Sequence, residues 1–359
     1  MVNRMLYCRA KIESASGKMK VNHITTLDAV RFAAALWVLS FHYTATEFVT
    51  AAAPFTKYGF LGVPLFFMIS GYVIALSLAS SSSPQRFLVN RLFRLYPAFV
   101  VCSVITIVYV AVFSGMPHFT LKEIALNATM MGEGLNIRLI NGAYWSLTVE
   151  WLFYLMMAGV FATIGVRRLS VFLWLWLALS VFQIFFDVSL LKKLFVLRYA
   201  PFFVGGASFY LIAHSDRKAL SHWLLCVVSF PVSCYWAIEK AQGIPDVGTF
   251  NFFAMIACVA AFYMLMGNLG RTPDFLSRHK GFFGLAGRTS YPLYLIHETI
   301  GVDILNKFNM HGLAGAGFIL AITVAAVCVA IVISEYIERP VIALLKRSVA
   351  LHRPTPSVT

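Results

Sequence analysis

Apolar residues fill most of this chain in blocks of about twenty, separated by short polar or basic connections. A helix of that length crosses the ~30 Å hydrocarbon core of a bilayer. The pattern predicts ten spans, at 27–47, 60–80, 97–114, 143–165, 169–187, 194–213, 219–238, 250–268, 282–306 and 313–336. Ahead of the third, Phe87, Leu88, Leu92 and Leu95 alternate with Arg86, Arg91 and Arg94 at helical spacing. Residues 84–96 therefore read as a separate basic amphipathic helix lying at the interface. Residues 115–142 form the longest external connection.

Composition agrees with this layout. The 359 residues are 60% hydrophobic and only 12% charged, about half the charged fraction of a soluble domain. No long polar stretch remains for a second domain. The expected organisation is a cytosolic tail at 1–26, a membrane domain at 27–345 and a second cytosolic tail at 346–359. Residues 1–26 carry Arg4, Arg9, Lys11, Lys18 and Lys20 without an apolar core directly behind the charges, which excludes a signal peptide there. With the N-terminus inside, inner segments hold 20 of the 29 Lys and Arg and outer segments seven, with Arg31 and Arg198 inside spans. That asymmetry places both termini in the cytoplasm. The fold class is thus all-α, a polytopic membrane protein of about ten transmembrane helices. The net charge of +14 points to cytoplasmic loops and anionic lipid, not to nucleic acid. Six scattered cysteines form no CxxC pair and read as small buried hydrophobes.

The chemistry begins in the first span, where Arg31 and His42 lie eleven residues apart. Eleven residues make three helical turns plus about 20°, so both side chains leave one face, ~16 Å apart along the axis. A cation and an imidazole are costly inside a membrane and mark a functional site. Counting depth along each span puts His42, Glu150 and His297 at one level in the outer half of the membrane. Arg31, Arg86, Arg91, Arg94 and Arg288 fall near the cytoplasmic face. The outer layer suits general acid/base work on a hydroxyl, and the cationic layer suits a phosphate-bearing ligand. Glu150 has an alternative reading as a helix clamp, with Arg198 as partner. Ser70 and Ser146 lack a Gly-x-Ser-x-Gly elbow and read as interhelical hydrogen-bonding groups. HETIG at His297 lacks the second His of a zinc protease, so no metal is implied.

These residues lie in segments that resemble the membrane-bound acyltransferase 3 family. LDAVRFAAALWVLSFHY gives Arg, ten residues, then His. GVPLFFMISGYVI resembles the family's second-span pattern, with Tyr72 where Phe is commoner. RLFRLYP matches Arg-x-x-Arg-x-x-Pro at Arg91, Arg94 and Pro97. WSLTVEWLFY carries Glu150, TSYPLYLIH carries His297, and IERPV carries Glu338 and Pro340. The six pieces occur in the family's order and cover residues 27 to about 345.

The resemblance implies an integral O-acyltransferase of the bacterial cytoplasmic (inner) membrane. It implies acetyl-CoA or another acyl-CoA as donor, and a hydroxyl of a cell-surface or exported glycan, or of a lipid-linked sugar, as acceptor. By this match His42 is the catalytic histidine, Arg31 its partner, and Arg91 and Arg94 the pair near the donor. On the residues' own placement, Glu150 and His297 shape the site, and Arg31 joins Arg91 and Arg94 in docking the CoA phosphates. A different class remains open, since buried His, Glu and Arg also line proton or substrate paths in secondary transporters. The hydropathy shows no inverted repeat and no pair of broken spans in matching halves.

Overall fold

The computed structural model describes residues 25–44, 53–214, 219–244, 250–269 and 271–351. The proposed N-terminal tail up to residue 24 lies outside the described residues, as does the chain beyond 351. Eleven main helices follow one another: α1 (Thr25–Thr44), α2 (Gly62–Ser80), α3 (Pro84–Tyr109), α4 (Trp145–Thr163), α5 (Leu169–Phe185), α6 (Ala200–His214), α7 (Ala219–Gln242), α8 (Phe252–Gly267), α9 (Lys280–Phe308), α10 (Gly312–Val332) and α11 (Arg339–Leu351). There is no strand among the described residues. This is the outcome expected in hydrocarbon, where a helix satisfies its own backbone donors and acceptors.

Helices α1 to α10 occupy the ten predicted apolar blocks, but among the described residues six helical stretches are both long and apolar enough to cross a membrane. They are Gly59–Ser80, Pro84–Ser114, Gly142–Thr163, Val166–Phe185, Leu220–Gln242 and Gly312–Ser348. Helices α6 and α8 are apolar but shorter. Helices α1 and α9 are 20 and 29 residues long, and both carry several charged or titratable side chains.

Two boundaries differ from the expectation. The basic stretch 84–96 and the span after it form one helix, α3, with Pro97 inside it. Proline removes one backbone donor, and membrane helices tolerate this where a neighbour satisfies the disturbed turn. Tyr291 of α9 packs across this turn and donates to the Leu95 carbonyl at 3.2 Å, while the carbonyl that loses its helical donor to Pro97 is that of Phe93. At the C-terminal end, α10 runs through a π-helical turn, Ile333–Glu338, into α11. The helix thus continues to Leu351, inside the segment 346–359 read as a tail.

Packing is tightest between α1 and α9 and between α2 and α6. At Gly71 and Gly206 these last two helices meet backbone to backbone. A Cβ at Gly71 would collide with the Phe203 carbonyl, and one at Gly206 with the Met68 carbonyl. Small residues permit such approach where the surroundings are as apolar as the side chains. A stack of Phe153, Trp176 and Phe203 fills the space beside them, with ring centroids 4.0 to 5.9 Å apart.

The connection 115–141 is ordered by its own caps. Thr120 caps a short helix, Leu121–Asn127, and its backbone N–H donates to Glu123 Oε2 at 2.8 Å. That bond, with the Thr120 hydroxyl, holds the Glu123 carboxyl below the usual carboxylate range. The cap is therefore present at neutral pH and is lost only as pH falls through that lowered value.

The α2–α6 contact yields a stability prediction. Gly206→Ala should destabilise the protein by roughly 3 kcal/mol, as overpacking of a rigid contact does. Gly159→Ala, inside α4 where an added Cβ meets nothing, should instead raise the melting temperature in detergent slightly, by the helix propensity of alanine over glycine.

Candidate active site

Helix α1 is unbroken from Thr25 to Thr44, so Arg31 and His42 do share a stripe. His42 lies two residues from the end of the helix. Its ring meets that of His297 on α9, with centroids 5.2 Å apart. Tyr43 donates to the His297 carbonyl at 3.0 Å and ties the two helices at this level. His297 is 1% exposed. Its Nδ1 lies 2.8 Å from the Tyr294 carbonyl. A carbonyl only accepts, so Nδ1 carries the proton and Nε2 is left as a lone pair. That Nε2 is buried with no hydrogen-bond partner among the described residues. Two imidazoles from two helices therefore form one centre.

Glu150 does not join them. It accepts from Ser70 at 3.0 Å and from Tyr154, and it lies within electrostatic reach of Arg31. The 3₁₀ turn Gly142–Tyr144 ahead of α4 sits beside the two histidines, since the Gly142 N–H donates to Glu298 at 2.7 Å. Eight residues further along, Glu150 is ~12 Å away from that level, close to the depth of Arg31. The predicted three-member outer layer is thus two histidines, and Glu150 belongs to the inner one. Nor does Glu150 clamp Arg198, which donates to Glu239 at 2.6 Å.

The carboxylate near His42 is Glu298, the residue after His297. Thr299 also donates to it, at 2.8 Å. The sequence reading passed over it because HETIG was weighed only as a zinc motif. Its signal was a carboxylate adjoining a candidate catalytic histidine. Ser70 and Ser146 both act as interhelical partners, Ser70 to Glu150 and Ser146 to the Tyr294 hydroxyl at 2.8 Å.

At the other end of the bundle, Arg86, Arg91 and Arg94 of α3, Lys346 of α11 and serines around the α2–α3 turn line a cavity of about 450 Å³. Such a volume lies within the range of small-molecule sites, roughly 300–1,000 Å³. Arg91 Nε is buried and has no hydrogen-bond partner among the described residues. Arg94 is paired with Glu338 and lies over the Tyr291 ring at 5.6 Å. Arg288 pairs with Glu335 at 2.7 Å. Ser83 caps the N-terminus of α3 beside this cavity, so the positive end of the helix dipole adds to the four cations. Arg31 does not line the cavity but lies near Arg94 and Glu150.

A second, smaller cavity of about 210 Å³ borders His42. The two lie at opposite ends of α2. Val63 and Pro64 border the His42 cavity, and Ser77 and Ser80 border the basic one. The separation along that helix is roughly 20–25 Å. Among the described residues no group of three His, Cys, Asp or Glu gathers to hold a metal ion. The site's equipment is therefore a basic cavity for anions, a charged relay of Arg31 and Glu150, and an imidazole pair at the far end.

Comparison with known proteins places the chain among acyltransferases. A family model described as an acyltransferase domain matches residues 24–335. An acyltransferase of Streptomyces mycarofaciens, MdmB, is 28% identical over 157 residues, 38% of each chain. A protein named as an acetyltransferase, ORF330, of Acidianus two-tailed virus is 23% identical over 224 residues, 59% of this chain and 67% of that one. The aligned region thus spans well under half the length of MdmB. No solved structure matches. With the family model covering the chain from the start of α1 into the π turn after α10, this protein belongs to the membrane-bound acyltransferase 3 family.

Proposed function

We propose that the protein is an O-acyltransferase that takes an acyl group, most simply acetyl, from cytosolic acyl-CoA and places it on a hydroxyl of an exported or surface glycan. The observation that carries this reading is the pairing of two unlike cavities at opposite ends of α2, with His42 bordering one and Arg91 and Arg94 lining the other. A CoA ester has the matching polarity, with phosphates at one end and a thioester at the other. The donor's phosphates take the N–H groups of Arg91 and Arg86, and its arm follows α1 past Arg31 toward His42. The Lys and Arg asymmetry supports a multi-pass arrangement of ten helices in a bacterial cytoplasmic membrane, with both termini in the cytosol.

In the reaction, His42 accepts the proton of the acceptor hydroxyl as the oxygen adds to the thioester carbonyl carbon. The C–S bond then breaks, and the CoA thiolate takes the proton back from the imidazolium. The products are an ester and free CoA. Glu298 stabilises the transient imidazolium, and His297 Nε2 supplies a second acceptor beside it. Glu150, held by Ser70 and Tyr154, offsets the charge of Arg31 in a setting where an uncompensated guanidinium is costly.

Three outcomes follow, each read with purified protein, radiolabelled acetyl-CoA and an envelope-glycan fraction. His42→Ala should lower transfer at least ~100-fold, the span of general-base catalysis, with normal membrane insertion. Arg91→Ala should raise the KM for acetyl-CoA roughly tenfold, the loss of one charge-assisted hydrogen bond, and leave kcat near its original value. This residue is a cleaner test than Arg94, whose removal strands Glu338. Glu298→Gln should lower kcat about tenfold, in line with ~1.4 kcal/mol of lost imidazolium stabilisation. If labelled acyl never leaves CoA and reconstituted vesicles instead show proton-coupled uptake, the transporter reading replaces this one.

A further inference from the structure

Adding a hydroxyl to a thioester carbonyl puts a negative charge on the carbonyl oxygen. Enzymes lower such a barrier most by holding fixed donors around that oxygen. His42 is committed to the hydroxyl proton, and Glu298 is itself an anion. Besides His42, the described lining of the 210 Å³ cavity has one side chain that carries a charge, Lys240. The wall around it is aliphatic at Val38, Val63, Pro64, Ala237 and Ile244 and largely aromatic elsewhere. In so apolar a chamber, attraction between opposite charges is far stronger than in water.

The packing of α7 aims this side chain. Trp236, Ala237 and Lys240 fall on one face of the helix and reach the chamber together. That face is held by Trp236, whose Nε1 donates to Ser180 at 2.9 Å, and by Glu239, which accepts from Arg198 at 2.6 Å. Lys192 lies 3.9 Å from the same Glu239 oxygen, so the carboxylate adjoining Lys240 is already shared by two other cations. The Lys240 ammonium lies 5.3 Å from the centre of the Trp145 ring and in the last turn of α7. The ring face and the helix C-terminus both offset the cost of a cation there. Its three N–H donors make no hydrogen bond or ion pair among the described residues.

Other donors around the chamber are already taken. The Gly142 N–H goes to Glu298, that of Ala143 to the Asn141 side chain and that of Tyr144 to the Asn141 carbonyl. The N–H groups of Gly243 and Ile244 go to the carbonyls of Lys240 and Ala241. The Tyr294 hydroxyl bonds Ser146 at 2.8 Å and the Ala143 carbonyl at 3.1 Å. We infer that the Lys240 ammonium is the oxyanion donor of this site, a catalytic residue sharing the chamber with His42. The inference rests on the transferase reading. As the acceptor oxygen bonds the carbonyl carbon and its proton passes to His42, the C=O π pair moves onto the carbonyl oxygen, where the Lys240 N–H groups hold it. The pair returns as the C–S bond breaks and that bond's electrons leave on sulfur. The ammonium keeps its protons throughout and supplies charge alone. A ground-state thioester oxygen is a weak acceptor, so Lys240 adds little to donor binding and much to the rate.

Lys240→Met keeps the aliphatic stem over Trp145 and removes the donors. It should lower kcat for transfer from radiolabelled acetyl-CoA to the envelope-glycan fraction about 100-fold, the loss that follows removal of one oxyanion donor. The KM for acetyl-CoA and the melting temperature should stay at their wild-type values, and Lys240→Arg should restore most of the rate. A trifluoromethyl ketone analogue of acetyl-CoA, which adds a nucleophile to give a similar tetrahedral oxyanion, should bind Lys240→Met about 100-fold more weakly, while CoA itself binds both proteins equally. The role is overturned if kcat is unchanged, if the whole loss appears in KM, or if CoA and the ketone weaken together. It is also overturned if Lys240→Met slows transfer from succinyl-CoA alone, which would make Lys240 a reader of a substrate carboxylate. Wild-type protein that transfers no label removes the transferase reading and this role with it. A wild type that transfers, matched by Lys240→Met, removes this role and leaves the transferase reading standing.

Discussion

Moving a charge from water into an apolar bundle costs several kcal/mol after relaxation, more than any one packing contact returns. The charged face of α1 therefore dictates what surrounds it. Arg31 has Glu150 nearby, itself fixed by Ser70 and Tyr154. His42 has His297 and Glu298. These partners come from α2, α4 and α9, so satisfying two side chains of one helix assembles the central helices of the fold. The tight seams of α1 with α9, and of α2 with α6, place those partners within reach.

The same constraint separates the two ends of the molecule. Around Arg86, Arg91 and Lys346, cations outnumber the nearby carboxylates, and Arg91 Nε has no hydrogen-bond partner among the described residues. Around His42 the walls are aromatic and nearly uncharged, with Lys240 the charged exception. One end is left short of negative charge and the other short of a flat apolar surface. Those two unlike ends are what the proposed reading of a donor at one end and an acceptor at the other draws on.

Much of this was legible in the sequence, and the failures have physical causes. Helical blocks follow from run length, because hydrocarbon allows few alternatives. The Arg31–His42 stripe follows from helical phase alone. The amphipathic pattern of 84–96 suggested a separate helix at the interface, but it runs directly into the span after it, since a change from amphipathic to apolar does not itself end a helix. Glu150 was placed too near His42 because depth was counted from a span edge, and a 3₁₀ turn at 142–144 shifts that edge relative to α1. The link between His42 and Glu298 depends on how α1 and α9 are registered, and a single sequence does not state a register.

The backbone-to-backbone seam at Gly71 and Gly206 has a consequence for motion. Two helices in such contact have no side-chain layer to slide on, so α2 and α6 move as one piece. The walls that α2 gives to both chambers, and α6 to the one beside His42, therefore keep a fixed spacing. Whatever must open for a ligand to enter or leave has to be sought among the other helices. Gly312–Ser348, of which only 11% of its most apolar stretch is buried, is the part of the molecule least anchored to that block.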